Sequence, residues 1–317
     1  MKMKEIYGLA IRMGMEADPR GKRFVQGELR KTKKKYEKMN DEEKEDFDLE
    51  KLKNPYSDTR MLYGDGVRKV KRVLVGIDMT SGEVVMADRL EDKGKKIDLI
   101  LGHHPRGRAL AELHDVMHLQ EEWMRSLGVP INVAEGVMRE RIMEVQRRVM
   151  PANHSQPVDA SRIFDIPFMT VHTPCDNMGY RFVQRLMDRK KPETVGDVIK
   201  ELKKVPEYKE AVKNAAGPKI IIGAKDDKAG KIIVKFTGGT MPGKVVYKEM
   251  SQAGVGTMVG MHIPEDHLEE VKKHHMKFVV AGHMASDSIG LNLLVDKLEE
   301  KGVEVIPCSG FIRNKRK

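Results

Sequence analysis

Three short stretches of this sequence place histidine, twice followed by aspartate, directly after an apolar, β-like run. Leu99-Ile100-Leu101 leads into Gly102-His103-His104-Pro105, Thr170-Val171 into His172-Thr173-Pro174-Cys175-Asp176, and Val279-Val280-Ala281 into Gly282-His283-Met284-Ala285-Ser286-Asp287. With 11 His in 317 residues, random scatter would rarely produce this. Ligands of open α/β sheets bind at the carboxyl ends of strands, where loops and helix N-termini converge. Imidazole and carboxylate groups meeting there from separate elements are the donors a divalent cation takes. Adjacent residues of an extended chain point opposite ways, so a single ion would use one of His103 and His104 and two neighbouring ions would use both. His283 and Asp287 are four apart, and Ser286 with Ile289, Leu293, Leu294 and Leu298 marks a helix that turns both towards one cleft. Each piece also has a plainer reading: Asp287 as a first-turn charge answering the helix dipole, and His172 with Asp176 as a turn residue and a helix N-terminal acid.

Positioning these groups requires strands and helices in alternation, and the apolar pattern supplies them. Val73–Ile77, Ile97–Leu101 and Ile131-Asn132-Val133 read as strands. Ala109 to Leu127 reads as one helix with Leu110, Leu113, Met117, Met124 and Leu127 on a face, closed by Gly128. This βαβ rhythm predicts an α/β fold with a mainly parallel sheet flanked by helices. A second set follows at Phe168–Val171, Lys219–Ile222, Ile232–Phe236, Lys277–Val280 and Val303–Ile306, with Asp226 to Gly230 reading as a hairpin turn. Polar helices at Thr194–Leu202 and Pro206–Ala215 precede Gly217-Pro218, where a boundary is expected. The expected organisation is a charged helical segment over 1–60, a first α/β half over 61–217 carrying the double His, and a second over 218–317 carrying the C-terminal His/Asp motif.

The 58 Lys and Arg against 48 Asp and Glu give a net charge of +10, compatible with nucleic acid, anionic small molecules or solubility alone. The basic block from Arg30 to Lys38 is followed at once by an acidic one from Asp41 to Asp48, so their fields cancel beyond roughly 8 to 10 Å in physiological salt. Specific nucleic-acid binding is therefore not expected; the segment should instead pack on the body, burying Ile6, Leu9, Met13 and Phe24 after a break at Pro19-Arg20-Gly21. Cys175 and Cys308 cannot form a disulfide framework, and no apolar run approaches the roughly 18 residues needed to cross a bilayer. A cytoplasmic protein with no membrane partner is expected. Among competing motifs, His114-Asp115-Val116-Met117-His118 has a spacing common on surface helices, Cys175 reads as buried and inert, and Gly238-Gly239-Thr240 and Gly254-Val255-Gly256-Thr257 read as turns or tight packing. Arg313, Lys315, Arg316 and Lys317 read as a frayed tail.

Between about residue 60 and 312 the sequence resembles the Nif-three-like family, which includes the YbgI-type proteins and those called GTP cyclohydrolase I type 2. The resemblance rests on Asp98-Leu99-Ile100-Leu101-Gly102-His103-His104-Pro105, on His172-Thr173-Pro174-Cys175-Asp176 and on Ala281-Gly282-His283-Met284-Ala285-Ser286-Asp287, with weaker support at Gly76-Ile77-Asp78 and Gly238-Gly239-Thr240. It implies two similar α/β halves with a metal site between them, a hexameric toroid, and two divalent ions held by His103, His104, Asp176, His283 and Asp287. The family usually has Glu at the last position, and Asp is one methylene shorter. Zinc, iron and manganese all suit such donors. The activity implied is that of a dinuclear metal-dependent hydrolase acting on a nucleotide or another phosphorylated or heterocyclic small molecule, with Arg106 and Arg108 as candidate phosphate clamps and His172 as candidate proton-transfer or supporting group. The alternative is a non-catalytic metal-binding protein, a metal-trafficking or regulatory scaffold.

Overall fold

The computed structural model describes residues 1–316. Nine strands make two sheets: β1 Arg60–Tyr63, β2 Arg72–Gly76, β3 Leu99–Gly102, β4 Phe168–Thr170, β5 Lys219–Ile222, β6 Lys231–Lys235, β7 Val255–Gly260, β8 Lys277–Val280 and β9 Glu304–Cys308. The first sheet runs β1-β4-β3-β2-β9 and the second β5-β8-β7-β6. In each, one edge strand is antiparallel and the rest are parallel. Parallel strands covered by helices on both faces bury every residue, which explains the continuous apolar runs Val73-Leu74-Val75 and Leu99-Ile100-Leu101, all fully buried.

The two sheets repeat one plan. β1 to β4 and β5 to β8 have the same order and directions, with β9 added to the first. The antiparallel strand is irregular at the same place in both, between Met61 and Tyr63 and between Ile220 and Ile222. After β4 and β8 come the corresponding helices Thr173–Lys190 and His283–Glu299, which pack against each other. Their crossing is so close that a Cβ on Gly290 would overlap the carbonyl oxygen of Cys175. Because β9 near the C-terminus pairs with β2, the first sheet contains strands from both ends of the chain.

The N-terminal segment packs on this body as helix Met3–Ala17, against helix Thr173–Lys190. Gly14 permits the contact, since a Cβ there would lie 2.6 Å from Pro174. Ile6 is fully buried, with Leu9 and Met13 partly buried against the same core. In the next helix, Lys22–Glu37, Val25 takes the buried position, while Phe24 is half-buried with the Arg20 guanidinium 6.0 Å from its ring.

Several local expectations are corrected. Ile131-Asn132-Val133 is the first turn of helix Ile131–Val149, entered through Pro130; three apolar residues are too few to separate strand from helix. The stretch from 109 to 127 is broken into a short helix Gly107–Ala111, a 3-10 turn Leu113–His118 and a helix Leu119–Leu127, which does end at left-handed Gly128. Asp226 to Gly230 is no hairpin, because β5 and β6 lie at opposite edges of their sheet. The reading of turns or tight packing does hold at residues 254–257: Gly254 is in the turn before β7, at a φ of 83°, and Gly256 within β7 packs so closely that a Cβ would lie 2.6 Å from the Ala229 carbonyl oxygen. The C-terminal residues are tied down: Arg313 bonds Asn292 at 2.9 Å and Asp296 at 2.5 Å, Lys315 pairs with Glu299 at 2.8 Å, and Arg316 reaches the buried Glu207 at 2.5 Å. Lys317 lies outside the described residues.

The crossing predicts a paired result. Gly290→Ala forces two helix backbones apart and should cost at least about 2 kcal/mol, towards the top of the usual overpacking range. Gly136→Ala, within helix Ile131–Val149 and with nothing within 4 Å of the added methyl, should stabilise by about 1 kcal/mol. Urea unfolding of both variants checks this; equal effects would refute the packing account.

Candidate metal centre

The functional side chains come from the ends of strands β3, β4 and β8 and the helices that follow. After β3, the backbone N–H groups of His103 and His104 donate to the carbonyls of Gly76 and Ile77, each at 2.9 Å, which carries the strand pairing to β2 through both histidines. Asp176 is in the first turn of helix Thr173–Lys190, and His283 and Asp287 are one turn apart at the start of the other helix. The helix crossing therefore brings the three groups together with the double His. His103, Asp176 and Asp287 are buried; His104 and His283 are half-buried.

His103 Nε2 lies 3.2 Å from Asp176 Oδ1 and 3.5 Å from Asp287 Oδ1. The other oxygen of Asp287 lies 3.3 Å from His104 Nε2 and 3.5 Å from His283 Nε2. Two donors each about 2.0 to 2.1 Å from one ion at a tetrahedral angle are about 3.3 to 3.4 Å apart. Among the described residues, two groupings that could hold a metal ion share Asp287, one with His103 and Asp176 and one with His104 and His283; a third joins His103, His104 and His172. His103 Nε2, Asp176 Oδ1 and both oxygens of Asp287 are buried with no hydrogen-bond partner. Leaving such atoms unpaired costs about 1 to 3 kcal/mol each, and more when charged, so the donor set fits a cation.

An outer ring fixes the imidazoles. Nδ1 of His103 faces the Val171 carbonyl at 3.1 Å, Nδ1 of His104 faces Asp78 at 2.9 Å, and Nδ1 of His172 faces Asp58 at 2.7 Å. Those oxygens only accept, so each Nδ1 carries a proton and each Nε2 is the nitrogen turned inwards, the one that can give its lone pair to a cation. His172 Nε2 lies 3.6 Å from Asp176 Oδ2. Asp58 is fully buried and also accepts from Thr173 Oγ1 at 2.6 Å. Burial opposes charge on Asp287, but His103, His104 and His283 outweigh it and hold the carboxyl far below its usual range. Burial likewise opposes charge on His103, yet Asp287 and Asp176 raise its proton affinity well above the ordinary value. Burial pushes the adjacent Cys175 thiol up, as expected of an unreactive cysteine.

Of the other expected residues, Arg106 stands one step out, donating to the Met79 carbonyl at 3.0 Å and to Asp78 at 3.1 Å. Arg108 is not brought to the cluster; it pairs with Glu112 at 3.0 Å and Asp48 at 3.6 Å. His114 and His118 pair with Asp115 and Glu121, away from the site. Three residues escaped the sequence reading. Asp58 precedes the short strand β1, 114 positions from its partner His172. His262 follows β7, and its ring centre is 5.1 Å from that of His283; a histidine after a strand was the available signal, hidden because the strand looked like glycine turns. Lys235 ends β6 and lines the same cleft.

No protein-family profile and no curated protein matches the sequence. Among solved structures, a NIF3 superfamily protein from Sphaerobacter thermophilus superposes with a TM-score of 0.73 and 30% identity, over 82% of this chain and 93% of that one. Reduced HcgD from Methanocaldococcus jannaschii shares the fold at a TM-score of 0.52 and 15% identity, over 84% of this chain and 94% of that one. The chain belongs to the NIF3 superfamily. No helix among the described residues is long and apolar enough to cross a membrane.

A cation entering the cluster displaces the proton that the carboxylates hold on His103. Because this proton affinity is raised above the usual 6.5, the competition persists to higher pH than for a free imidazole, and metal affinity falls as pH drops. Zinc titration by calorimetry in buffers of different ionisation enthalpy should show proton release, and a buffer-independent enthalpy would contradict it. His103→Ala should lose metal by elemental analysis and His114→Ala should keep it.

Proposed function

We propose that this protein is a divalent-metal-dependent hydrolase of a nucleotide or other phosphorylated or heterocyclic small molecule. In this reading His103, Asp176 and Asp287 would hold one ion and His104, His283 and Asp287 a second. The observation that carries it is the set of orphaned, buried donor atoms converging from two helices and a strand end, with the two oxygens of Asp287 facing different histidines. That division of oxygens would let Asp287 serve both sets despite its shorter side chain. A pair of divalent cations there, zinc, iron or manganese, would lower the pKa of a shared water and stabilise charge on a substrate oxygen.

The chain's own residues supply proton handling and orientation. His172 Nε2 takes the proton of the attacking water and returns it to the leaving oxygen, while Asp58 holds Nδ1–H and steadies the imidazolium. Arg106, beside Asp78, faces an anionic group of the substrate, and Arg108 completes the clamp only by leaving Glu112. The proposal extends to a cytoplasmic homohexameric ring and to halves divided near residue 217.

Metal-loaded protein should hydrolyse members of a nucleotide and phosphoester panel. His172→Gln should lower kcat roughly 100-fold or more at unchanged metal content. Failure of fully loaded protein to turn over any candidate would contradict the hydrolase and leave a non-catalytic metal-binding role. Sedimentation should give six times the 36.0 kDa chain mass.

A further inference from the structure

We propose that Lys235 is the site's receptor for an anionic oxygen of the substrate's phosphoryl group. This rests on the hydrolase reading for its substrate class, but the amine's position stands independently of it.

Lys235 ends β6, is 5% exposed, and extends into the cleft lined by Asp176, His262, His283 and Asp287. Its ammonium donates to two backbone carbonyls, Thr237 at 2.5 Å and Thr240 at 3.1 Å. Among the described residues no carboxylate lies within salt-bridge distance of it. An ammonium carries three donors and an unpaired buried charge is costly, so this amine lacks the counter-charge that its burial calls for. Burial alone pushes its pKa down to about 7, with Asp176 too distant to restore it. Trp123 closes one side, its ring centre 6.0 Å from Nζ.

The plainer explanation is that Lys235 ties down the glycine loop from Thr237 to Met241. That loop is already held. Gln120 Nε2 donates to the carbonyls of Gly238 at 2.6 Å and Thr240 at 2.9 Å, and Thr237 Oγ1 donates to Asn177 at 2.5 Å. A lysine adds little to that anchoring, and its charge makes it a costly choice. A phosphoryl group in the metal cleft supplies the missing partner: one oxygen accepts from Nζ while the group's other oxygens face the metal-binding cluster.

The test uses metal-loaded full-length protein, with inorganic phosphate and acetate as probes in calorimetry and elemental analysis of the same samples. Lys235→Met is close in length and removes the buried charge, so it should fold and retain metal. Phosphate affinity should drop roughly 10- to 100-fold, the scale of a charge-assisted hydrogen bond, with Lys235→Arg closer to the unsubstituted protein. Acetate should bind more weakly than phosphate in the unsubstituted protein; equal binding would overturn the phosphoryl preference. Unchanged phosphate affinity in Lys235→Met, or loss of metal together with phosphate, would overturn the assignment. Should the methionine variant not fold, Lys235→Gln carries the same comparison. Lysine-dependent phosphate binding without turnover of any phosphoester would sink the hydrolase reading and leave the anion role standing.

Discussion

Two carboxylates, Asp176 and Asp287, are buried at 3% and 2% exposure where two helices cross, and the rest of the site follows from the need to compensate them. A buried carboxylate without partners would take up a proton or destabilise the fold. Here His103, His104 and His172, oriented through Nδ1 by Val171, Asp78 and Asp58, turn Nε2 towards the carboxylates, and Asp287 and its neighbours favour a proton on His103 and His104 whose place a cation can take. Such a cluster repels apolar groups and attracts a cation. The constraint also explains the close helix crossing at Gly290: only backbone contact brings side chains as short as aspartate into one group.

The duplicated sheet plan gives this arrangement its geometry. Corresponding helices after β4 and β8 each deliver an acid near their start, Asp176 from the first turn and Asp287 from the second, and histidines follow both third strands, His103 and His104 after β3 and His262 after β7. The two sheets differ in what they contribute. The first supplies the double His, and the second adds Lys235 from the end of its second strand. The N-terminal segment, outside the region of sequence resemblance, is also part of the site: Asp58 orients His172, while Asp18, Tyr56 and Asn177 form a buried network joining helix Met3–Ala17 to the helix carrying Asp176.

The main site residues were legible because each follows a continuous apolar run, and a run such as Leu99-Ile100-Leu101 is hard to mistake for anything but a buried element. The family was legible from the same residues, and the structural likeness bears it out. Contacts between distant segments were not. Asp58 looks like a loop acid until β1 pairs with β4, and Lys235 looks like the polar residue of an ordinary strand. The hairpin expectation failed because strand order depends on crossovers that local turn residues do not encode. The repeat of the sheet plan also leaves no sequence period, since it lies in topology and burial and leaves residue identity free.

Anomalous diffraction from crystals of the zinc-loaded protein tests the central claim most directly. The account predicts two peaks per chain, one within about 2.0 to 2.2 Å of His103 Nε2, Asp176 and one oxygen of Asp287, the other within the same distance of His104, His283 and the second oxygen. Metal density elsewhere on the chain, or none at these residues in protein shown to carry zinc, would contradict it.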